Sequence, residues 1–399
     1  MTADLAFTSA AELARLIAGR QVSPVEVVDG VLDRIERSQP VLNAFITVCA
    51  EEARAAAKGA AATVMRGEAL GPLHGVPFAV KDLVNTAGVR TTLGSVALAE
   101  NIPAGDSPAV ARLKAAGAIL VGKTTTPEFG HKCFTEAPLF GRTANPWDQS
   151  RTPGGSSGGA AAAVAAGLGP IGIGTDGGGS SRIPAACCGI VGFKQTIGLV
   201  PHDLTPDGFG NQSHITPLTR TVMDAALMLE AMAGPDPCDP HSLGLPAPDF
   251  VSGAKAEGDL RGVRIAWRPL LGNSMVAGLA RQVVLEALRS LGKGVDSAGV
   301  VSADDPAGLG GAGKLPRILE LLRPSQQPAG FIVQTRDSGI SAKPRRRRLH
   351  HRAQRALDVG VEWRVRCHRV LLKANVGFEK AAEFQHQSVG VAEVCGDFR

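Results

Sequence analysis

Two glycine–serine runs lie close together and constrain the chain more than any other feature. The first covers residues 154–159 (GGSSGG) and the second covers residues 177–181 (GGGSS). An alanine-rich stretch, 160–166, and a short apolar stretch, 170–174, lie between them. Because glycine has no side chain, such runs leave backbone N–H groups accessible, as a phosphate-binding loop or an oxyanion hole requires. The runs therefore predict loops that hold a site, flanking a helix and a strand.

Helical and extended patterns alternate along the chain. Ser23 and Pro24 form a strong helix start, because serine caps a helix and proline suits its first position. Val76–Val80 alternates in the manner of a strand that ends at Lys81. This alternation predicts the α/β class, with a mixed, mostly parallel, twisted sheet covered by helices on both faces. Further helices are predicted within residues 8–38, 51–65, 109–116, 160–166 and 221–233, and further strands at 119–121, 170–174 and 263–267.

Nucleotide-binding patterns match the glycine runs only weakly. A G-x-G-x-x-G pattern occurs twice, in overlapping positions between residues 167 and 177. Pro184 stands where a phosphate-binding helix would continue, and no acidic residue lies near position 197, where a dinucleotide-binding unit would need one. Neither run ends in Gly-Lys-Ser/Thr, so the P-loop pattern is absent as well.

A hydrolase built on a nucleophilic serine fits the two runs better. Such a serine needs a base and donors for the oxyanion. Among the nine histidines, His74 is the nearest candidate base, although it lies in no motif typical of catalysis. Lys81 is the alternative, since burial at the end of an apolar strand would disfavour its charged form and lower its pKa. Taken alone, a lysine at a strand end is more often a solvated residue than a base.

Longer motifs in this region resemble the amidase signature family. Ser156 precedes Ser180 by 24 residues, which is the spacing that the family shows. The resemblance extends from about residue 8 to about residue 290 and implies the amidase signature fold. It also implies hydrolysis of a linear carboxamide to a carboxylic acid and ammonia or an amine. The matching segments are 73–82 (LHGVPFAVKD), 122–130 (GKTTTPEFG), 145–147 (NPW), 154–157 (GGSS), 174–184 (GTDGGGSSRIP) and 192–196 (GFKQT).

The resemblance further implies a Ser-cisSer-Lys triad and an acyl-enzyme. Ser180 is the implied nucleophile, and Ser156, after a cis peptide bond, is the implied proton relay. Lys81 is the implied base and is uncharged in the free enzyme. No metal and no organic cofactor is implied, and the expected partner is a small amide substrate.

The surroundings of the implied triad are also specified by the resemblance. Gly130 is implied to border the substrate pocket. The oxyanion hole is implied to consist of the backbone N–H groups of Gly177, Gly178, Gly179 and Ser180. A structural role, through loop hydrogen bonds and an ion pair, is the favoured interpretation for the polar neighbours Ser157, Thr175, Asp176, Ser181 and Arg182.

Two other functions are left open at this point. The glutaminase subunit of a tRNA-dependent amidotransferase resembles the chain in the same motifs, although residues 126–134 look more like those of stand-alone amidases. The other alternative is an inactive or truncated amidase homologue, in which the triad survives but the pocket is incomplete.

Composition and charge limit the location and the partners. The chain has 399 residues, no apolar stretch long enough to cross a membrane, and no basic N-terminal region typical of a secretion signal. Its seven cysteines are odd in number and show no C-x-x-C spacing, so neither a disulfide framework nor a zinc site is indicated. We therefore expect a cytoplasmic protein without membrane partners, with a homodimer as one open alternative for its assembly.

The last hundred residues differ from the rest. We expect an amidase signature core over residues 1–295 and a diverged basic region over residues 296–399, with part of the family fold missing. Residues 341–399 hold 13 basic and 6 acidic side chains, with four consecutive arginines at 345–348. A shifted reading frame or a truncated copy is our hypothesis. No aromatic residues are interleaved with these arginines, so a solvated tail is favoured over nucleic-acid binding.

Overall fold

The computed structural model describes residues 5–204, 212–244, 247–256, 265–267 and 300–302. By its internal contacts the chain divides into two compact units, and the first contains all described residues up to 256. The second unit contains two short described strands that pair in parallel. The boundary predicted at residue 295 and the arginine run at 345–348 lie outside the described residues. The boundary and the solvated tail therefore remain predictions.

The described part of the chain contains eight α-helices, four 3-10 helices of three residues each and ten strands. The helices are α1 (Ala10–Ala18), α2 (Pro24–Leu42), α3 (Ala50–Arg66), α4 (Pro108–Ala115), α5 (Gly158–Ala165), α6 (Arg182–Cys188), α7 (Val222–Met232) and α8 (Phe250–Lys255). The strands are β1 (Phe45–Val48), β2 (Pro77–Lys81), β3 (Ile119–Thr124), β4 (Glu136–Ala137), β5 (Gly141–Arg142), β6 (Ile171–Thr175), β7 (Val191–Gly192), β8 (Ile215–Thr219), β9 (Ile265–Trp267) and β10 (Val300–Ser302). Among these helices, none is long and apolar enough to cross a membrane.

Six strands form a mixed sheet in the order β1-β3-β2-β6-β8-β7. The three central strands, β3, β2 and β6, are parallel, and β1 and β8 run antiparallel to them on either side. The carboxyl ends of β2 and β6 therefore lie side by side at one edge of the sheet. In sheets of this kind that edge is where ligands bind. The predicted α/β class with a mixed sheet and helices on both faces is confirmed.

Strand β2 divides its side chains between the two faces of the sheet. Phe78 and Val80 join a core cluster with residues of α1, α4 and α7. Ala79 points the other way and joins a cluster with residues of α2, α3 and α5. Because side chains alternate along a strand, Lys81 lies on the Ala79 face, which is the face that α5 covers.

Helix α5 packs unusually close to this face. All eight of its residues are buried, as expected for a helix that is apolar all round. A Cβ at Gly172 of β6 would lie 3.4 Å from Val164 Cγ2, and a Cβ at Gly159 would lie 2.5 Å from the Thr125 backbone nitrogen. Glycine therefore lets the start of α5 approach the end of β3 and lets the second half of α5 pack closely on β6.

The segment after the second glycine run is helical, which the sequence prediction did not allow. Pro184 is the third residue of α6. The N–H groups of the first turn of a helix have no partner within the helix, so a proline there removes no hydrogen bond. The interpretation that Pro184 prevents a helix at this point was wrong.

Arg112 ties α4 to the end of α7, and its loss should destabilise the protein. Its guanidinium donates hydrogen bonds of 2.8 to 2.9 Å to the carbonyls of Met232, Ala233, Gly234 and Pro235. We expect Arg112→Ala to lower the free energy of unfolding by about 2–3 kcal/mol, because the carbonyls at the end of α7 lose their charged hydrogen-bond donor. Chemical denaturation measures this change.

Arg15→Ala is the matched control for that variant. Within the part of the chain that the structure describes, Arg15 pairs only with Glu12, and both side chains are exposed. Exposed pairs of this kind contribute about 0–1 kcal/mol. Equal losses of stability in the Arg112 and Arg15 variants would contradict the role given to Arg112.

Candidate active site

The Lys81 amine is fully buried at the carboxyl end of β2 and contacts three hydroxyl groups. Its Nζ lies 2.6 Å from Ser156 Oγ, 2.9 Å from Ser157 Oγ and 2.8 Å from Thr175 Oγ1. Burial lowers the pKa of Lys81 well below its usual value, and the negative charge of Asp176 opposes this shift only in part. The interpretation of this lysine as a solvated strand-end residue is therefore excluded.

Ser156 lies two residues before α5, and the Gly155–Ser156 peptide bond is cis. The backbone at this point is tightly enclosed, because a Cβ at Gly155 would lie 2.6 Å from the Phe134 backbone nitrogen. Among the described residues, Lys81 is the one hydrogen-bond partner of the Ser156 hydroxyl. Its proton is therefore free to be directed to Lys81.

Ser180 is half-buried in the turn between β6 and α6. The Ser157 N–H donates to the Ser180 carbonyl at 3.0 Å, so the two glycine–serine runs are joined directly at the serines. The Ser180 hydroxyl makes no hydrogen bond to any residue in the described part of the chain. The structure thus brings Lys81, Ser156 and Ser180 to the same end of the sheet.

Asp176 organises the turn that carries Ser180. It accepts hydrogen bonds from the Gly179 N–H at 2.7 Å and the Ser181 N–H at 3.2 Å, and Arg182 forms a salt bridge with it at 2.8 Å. Burial alone would raise the pKa of Asp176, but the hydrogen bonds from Arg182 and the Gly179 amide outweigh it, and the pKa lies below its usual value. The carboxylate therefore fixes the turn in its charged form.

The turn leaves three of the four predicted oxyanion donors unoccupied. The N–H groups of Gly177, Gly178 and Ser180 make no hydrogen bond within the described residues, and Gly177 and Gly178 are exposed. The Gly179 N–H, in contrast, already donates a hydrogen bond to Asp176. The sequence prediction counted Gly179 among the oxyanion donors, and the structure instead gives this amide to the carboxylate that shapes the turn.

Gly130 lies directly over the Ser156 hydroxyl. A Cβ at Gly130 would be 3.2 Å from Ser156 Oγ and 2.5 Å from Leu83 Cδ1. Its φ of +68° is a conformation that favours glycine. The residue type therefore keeps this side of the site open.

Ser157 and Thr175 contact the lysine, although sequence reasoning gave both a purely structural role. Their hydroxyls accept hydrogen bonds from Lys81 Nζ. Thr175 ends β6, the parallel neighbour of the strand that ends at Lys81, so the pairing of these two strands brings it to the lysine. For Asp176, Ser181 and Arg182, the loop hydrogen bonds and the ion pair are found as expected.

His74, the alternative base, is not at the site. It precedes β2, at the opposite end of the strand from Lys81. Its Nε2 lies 3.0 Å from the Ala60 carbonyl oxygen. Within the described residues, no group of three or more His, Cys, Asp or Glu side chains could hold a metal ion.

Comparison with known proteins identifies the family. The amidase family model matches residues 26–299. The chain is 44% identical over 285 residues to an acylamidase of Rhodococcus erythropolis, covering 71% of this chain and 59% of that protein. It is 46% identical over 280 residues to a glutamyl-tRNA(Gln) amidotransferase subunit of Acidothermus cellulolyticus, covering 70% of this chain and 55% of the relative.

Solved structures agree with the sequence matches. A bacterial aryl acylamidase of the amidase signature family superposes with a TM-score of 0.69 at 38% identity, covering 75% of this chain and 62% of the other. The peptide amidase of Stenotrophomonas maltophilia superposes with a TM-score of 0.65 at 32% identity, again covering 75% and 62%. The matched region is thus less than two thirds of the length of these relatives. The fold and the matched sequence place the chain in the amidase signature family.

Proposed function

We propose that the chain hydrolyses the C–N bond of a linear carboxamide, with Ser180 as nucleophile, Ser156 as proton relay and Lys81 as base. The observation that carries the proposal is the buried Lys81 amine, 2.6 Å from the Ser156 hydroxyl, beside a turn that presents Ser180 with unoccupied backbone amides. A desolvated amine is a base, whereas an ammonium group is not.

The hydrogen bonds around Lys81 support a neutral amine that accepts a proton from Ser156. A neutral amine has two N–H donors and one lone pair. The Ser157 hydroxyl donates to the Thr175 carbonyl at 3.1 Å, so it can only accept from Lys81. Thr175 Oγ1 takes the second N–H. The lone pair then faces Ser156, whose hydroxyl has no other acceptor among the described residues.

Acylation follows from this arrangement in one concerted transfer. Ser180 Oγ attacks the amide carbon while its proton passes to Ser156 Oγ, and the Ser156 proton passes to Lys81 Nζ. The substrate oxygen becomes an oxyanion, which the N–H groups of Gly177, Gly178 and Ser180 stabilise. Removal of one such donor typically costs about 3–4 kcal/mol of transition-state stabilisation.

The same groups complete the reaction in reverse order. As the tetrahedral intermediate collapses, Lys81 returns a proton through Ser156 to the leaving nitrogen, and ammonia or an amine departs. Water then attacks the Ser180 ester and loses its proton along the same route. The bond between the acyl carbon and Ser180 Oγ then breaks, and Lys81 returns the proton through Ser156 to Ser180 Oγ. The carboxylic acid is released, and the lysine is again neutral.

An amide panel tests this function on the purified full-length chain. Aliphatic, aromatic and peptide amides are incubated with the protein, and released ammonia or amine is measured. We expect hydrolysis of at least one class, absent in the Ser180→Ala protein. No turnover of any amide would favour one of the two alternatives, an inactive homologue with an incomplete pocket or a glutaminase that needs partner subunits.

The glutaminase subunit of an amidotransferase is the second candidate function. The relative of Acidothermus cellulolyticus, which is 46% identical, is named as a glutamyl-tRNA(Gln) amidotransferase subunit. A glutaminase of this type would hydrolyse glutamine together with partner subunits. Glutamine hydrolysis that depends on co-purifying subunits would support this alternative, whereas hydrolysis of other amides by the isolated chain would support the amidase.

Gly130 gives a sharp test of the space above Ser156. We expect Gly130→Ala to lower kcat/KM by roughly 100-fold, because a Cβ that moves the turn by even about 1 Å disturbs the reacting groups. Gly141→Ala is the matched control, since Gly141 has a φ of +79° and a Cβ there would meet nothing within 4 Å. Equal activity of the two variants would show that Gly130 does not lie against the reacting groups.

A further inference from the structure

A second buried lysine lies on the opposite face of the sheet from Lys81. Lys123 of β3 pairs in register with Val80, so its side chain points away from the face that Lys81 occupies. Its side chain is fully buried, and it takes no part in the proposed reaction. Lys123 Nζ donates to the Val84 carbonyl at 2.5 Å, Thr86 Oγ1 at 2.9 Å and Thr91 Oγ1 at 2.8 Å.

The hydrogen-bond partners of Lys123 fit an ammonium group. The Thr86 hydroxyl donates to the Val84 carbonyl at 3.2 Å, and the Thr91 hydroxyl donates to the Val89 carbonyl at 3.0 Å. A carbonyl has no proton, so all three partners can only accept. Three acceptors require three N–H donors, which only the charged form supplies. Lys123 thus differs from Lys81, which faces a hydroxyl with an uncommitted proton.

Asp82 is the second buried ionisable side chain beside this segment. Burial raises its pKa, and the charge of Lys123 opposes this shift only in part. Its Oδ2 accepts from the Thr92 N–H at 2.8 Å and the Thr92 hydroxyl at 2.5 Å. The Gly94 N–H in turn donates to Thr92 Oγ1 at 3.1 Å. Lys123 and Asp82 thus hold the same segment, residues 84–94, from two sides.

This segment reaches the active site through backbone hydrogen bonds near both of its ends. The Val84 N–H donates to the Lys81 carbonyl at 3.0 Å. The Phe129 N–H donates to the Leu93 carbonyl at 2.8 Å. Phe129 has a φ of 52°, so its backbone is in the left-handed region that non-glycine residues rarely adopt. The next residue, Gly130, is the one that faces the Ser156 hydroxyl.

We propose that Lys123 and Asp82 are positioning residues that clamp residues 84–94 and thereby hold the Phe129–Gly130 turn against Ser156. The clamp is the set of hydrogen bonds from these two side chains to the segment. Its kinetic consequence rests on the proposed amidase function, whereas its structural consequence does not. Loss of the clamp should release the turn that faces Ser156 and thereby misplace the reacting groups.

Hydrogen exchange of the full-length chain, followed by mass spectrometry, tests the structural consequence. In Lys123→Met and Asp82→Asn, we expect peptides covering 84–94 and Phe129 to exchange roughly tenfold faster or more. Thr91→Val removes one acceptor of Lys123 and should give a smaller increase in a protein that still folds. Arg112→Ala is the control, because it destabilises the contact between α4 and α7 and not the clamp. In this variant, exchange at Phe129 should rise no more than the rate of global unfolding does.

Kinetics on the same proteins test the consequence for the reaction. We expect Lys123→Met and Asp82→Asn to lower kcat by roughly 100-fold with KM altered less than about threefold, as for misplaced reacting groups. Wild-type exchange at Phe129 in all three clamp variants would overturn the inference. If exchange rises as expected but the wild-type chain hydrolyses no amide, the clamp stands and the proposed amidase function fails.

Discussion

Replacing Lys81 with methionine should reduce kcat/KM for amide hydrolysis by roughly 10⁴-fold or more, as loss of the base does in other serine hydrolases. Methionine keeps the length of the side chain but has no lone pair that can take the Ser156 proton. The Ser180 hydroxyl then has no route for its proton as it attacks. Steady-state hydrolysis of the best amide from the panel measures the loss.

The pH dependence of stability supplies the control for this variant. The pKa of Lys81 is lowered in the folded protein, whereas an unfolded lysine titrates near 10.4. The unfolded chain therefore binds the extra proton between these values. The contribution of Lys81 is complete above pH 10.4 and is lost by about 1.4 kcal/mol per pH unit as the pH falls toward the folded pKa.

Lys81→Met should lack this slope and remain folded. The difference between the two proteins isolates Lys81, because Lys123, whose pKa burial lowers to about 8, contributes equally to both. Parallel stability curves for the wild type and the variant would show that Lys81 is charged in the folded protein. The proposed base would then be wrong.

Replacing Ser180 with alanine should also remove turnover, by roughly 10⁴-fold or more, because no other group forms the acyl-enzyme. The stability of the protein should change by less than about 0.5 kcal/mol, since the Ser180 hydroxyl makes no hydrogen bond within the described residues. Activity assays and thermal unfolding of the same preparation measure the two effects.

The neighbouring serine gives the matched control. Ser181 is buried, and its hydroxyl donates to the Thr175 carbonyl at 3.1 Å and pairs with Thr216 Oγ1 at 2.5 Å. Ser181→Ala should lose about 1–3 kcal/mol of stability, because buried polar groups are left unpaired. It should keep activity within about tenfold of wild type. The reverse pattern, an active Ser180→Ala and an inactive Ser181→Ala, would show that Ser181 and not Ser180 is the nucleophile.

Much of the fold could be predicted because local signals agreed with the tertiary structure. The Ser23–Pro24 start of α2 is found, with the Ser23 hydroxyl accepting from the Val25 N–H. The strand ending at Lys81 was predicted from its alternation. Strand β8 was missed, and it contains Pro217, a residue that usually argues against a central strand. Pairing with β6 fixes the extended conformation of β8, and no pattern in the local sequence indicates that pairing.

The candidate site shows a similar division. Motif resemblance brought together Lys81, Ser156 and Ser180, and the structure places all three at one end of the sheet. The use of the Gly179 amide could not be predicted, because it depends on where Asp176 folds back over the turn. Nor could the contact of Thr175 with Lys81, which depends on the pairing of β2 with β6.

The most direct test of the neutral-lysine relay is a single-turnover acylation of the full-length chain across a pH series, with peptide mapping of the trapped acyl group. We predict the acyl group on Ser180 and an acylation rate that rises with pH as Lys81 loses its proton, both absent in Lys81→Met. An acyl group on another residue, or a Lys81→Met protein acylated at the wild-type rate, would contradict the account.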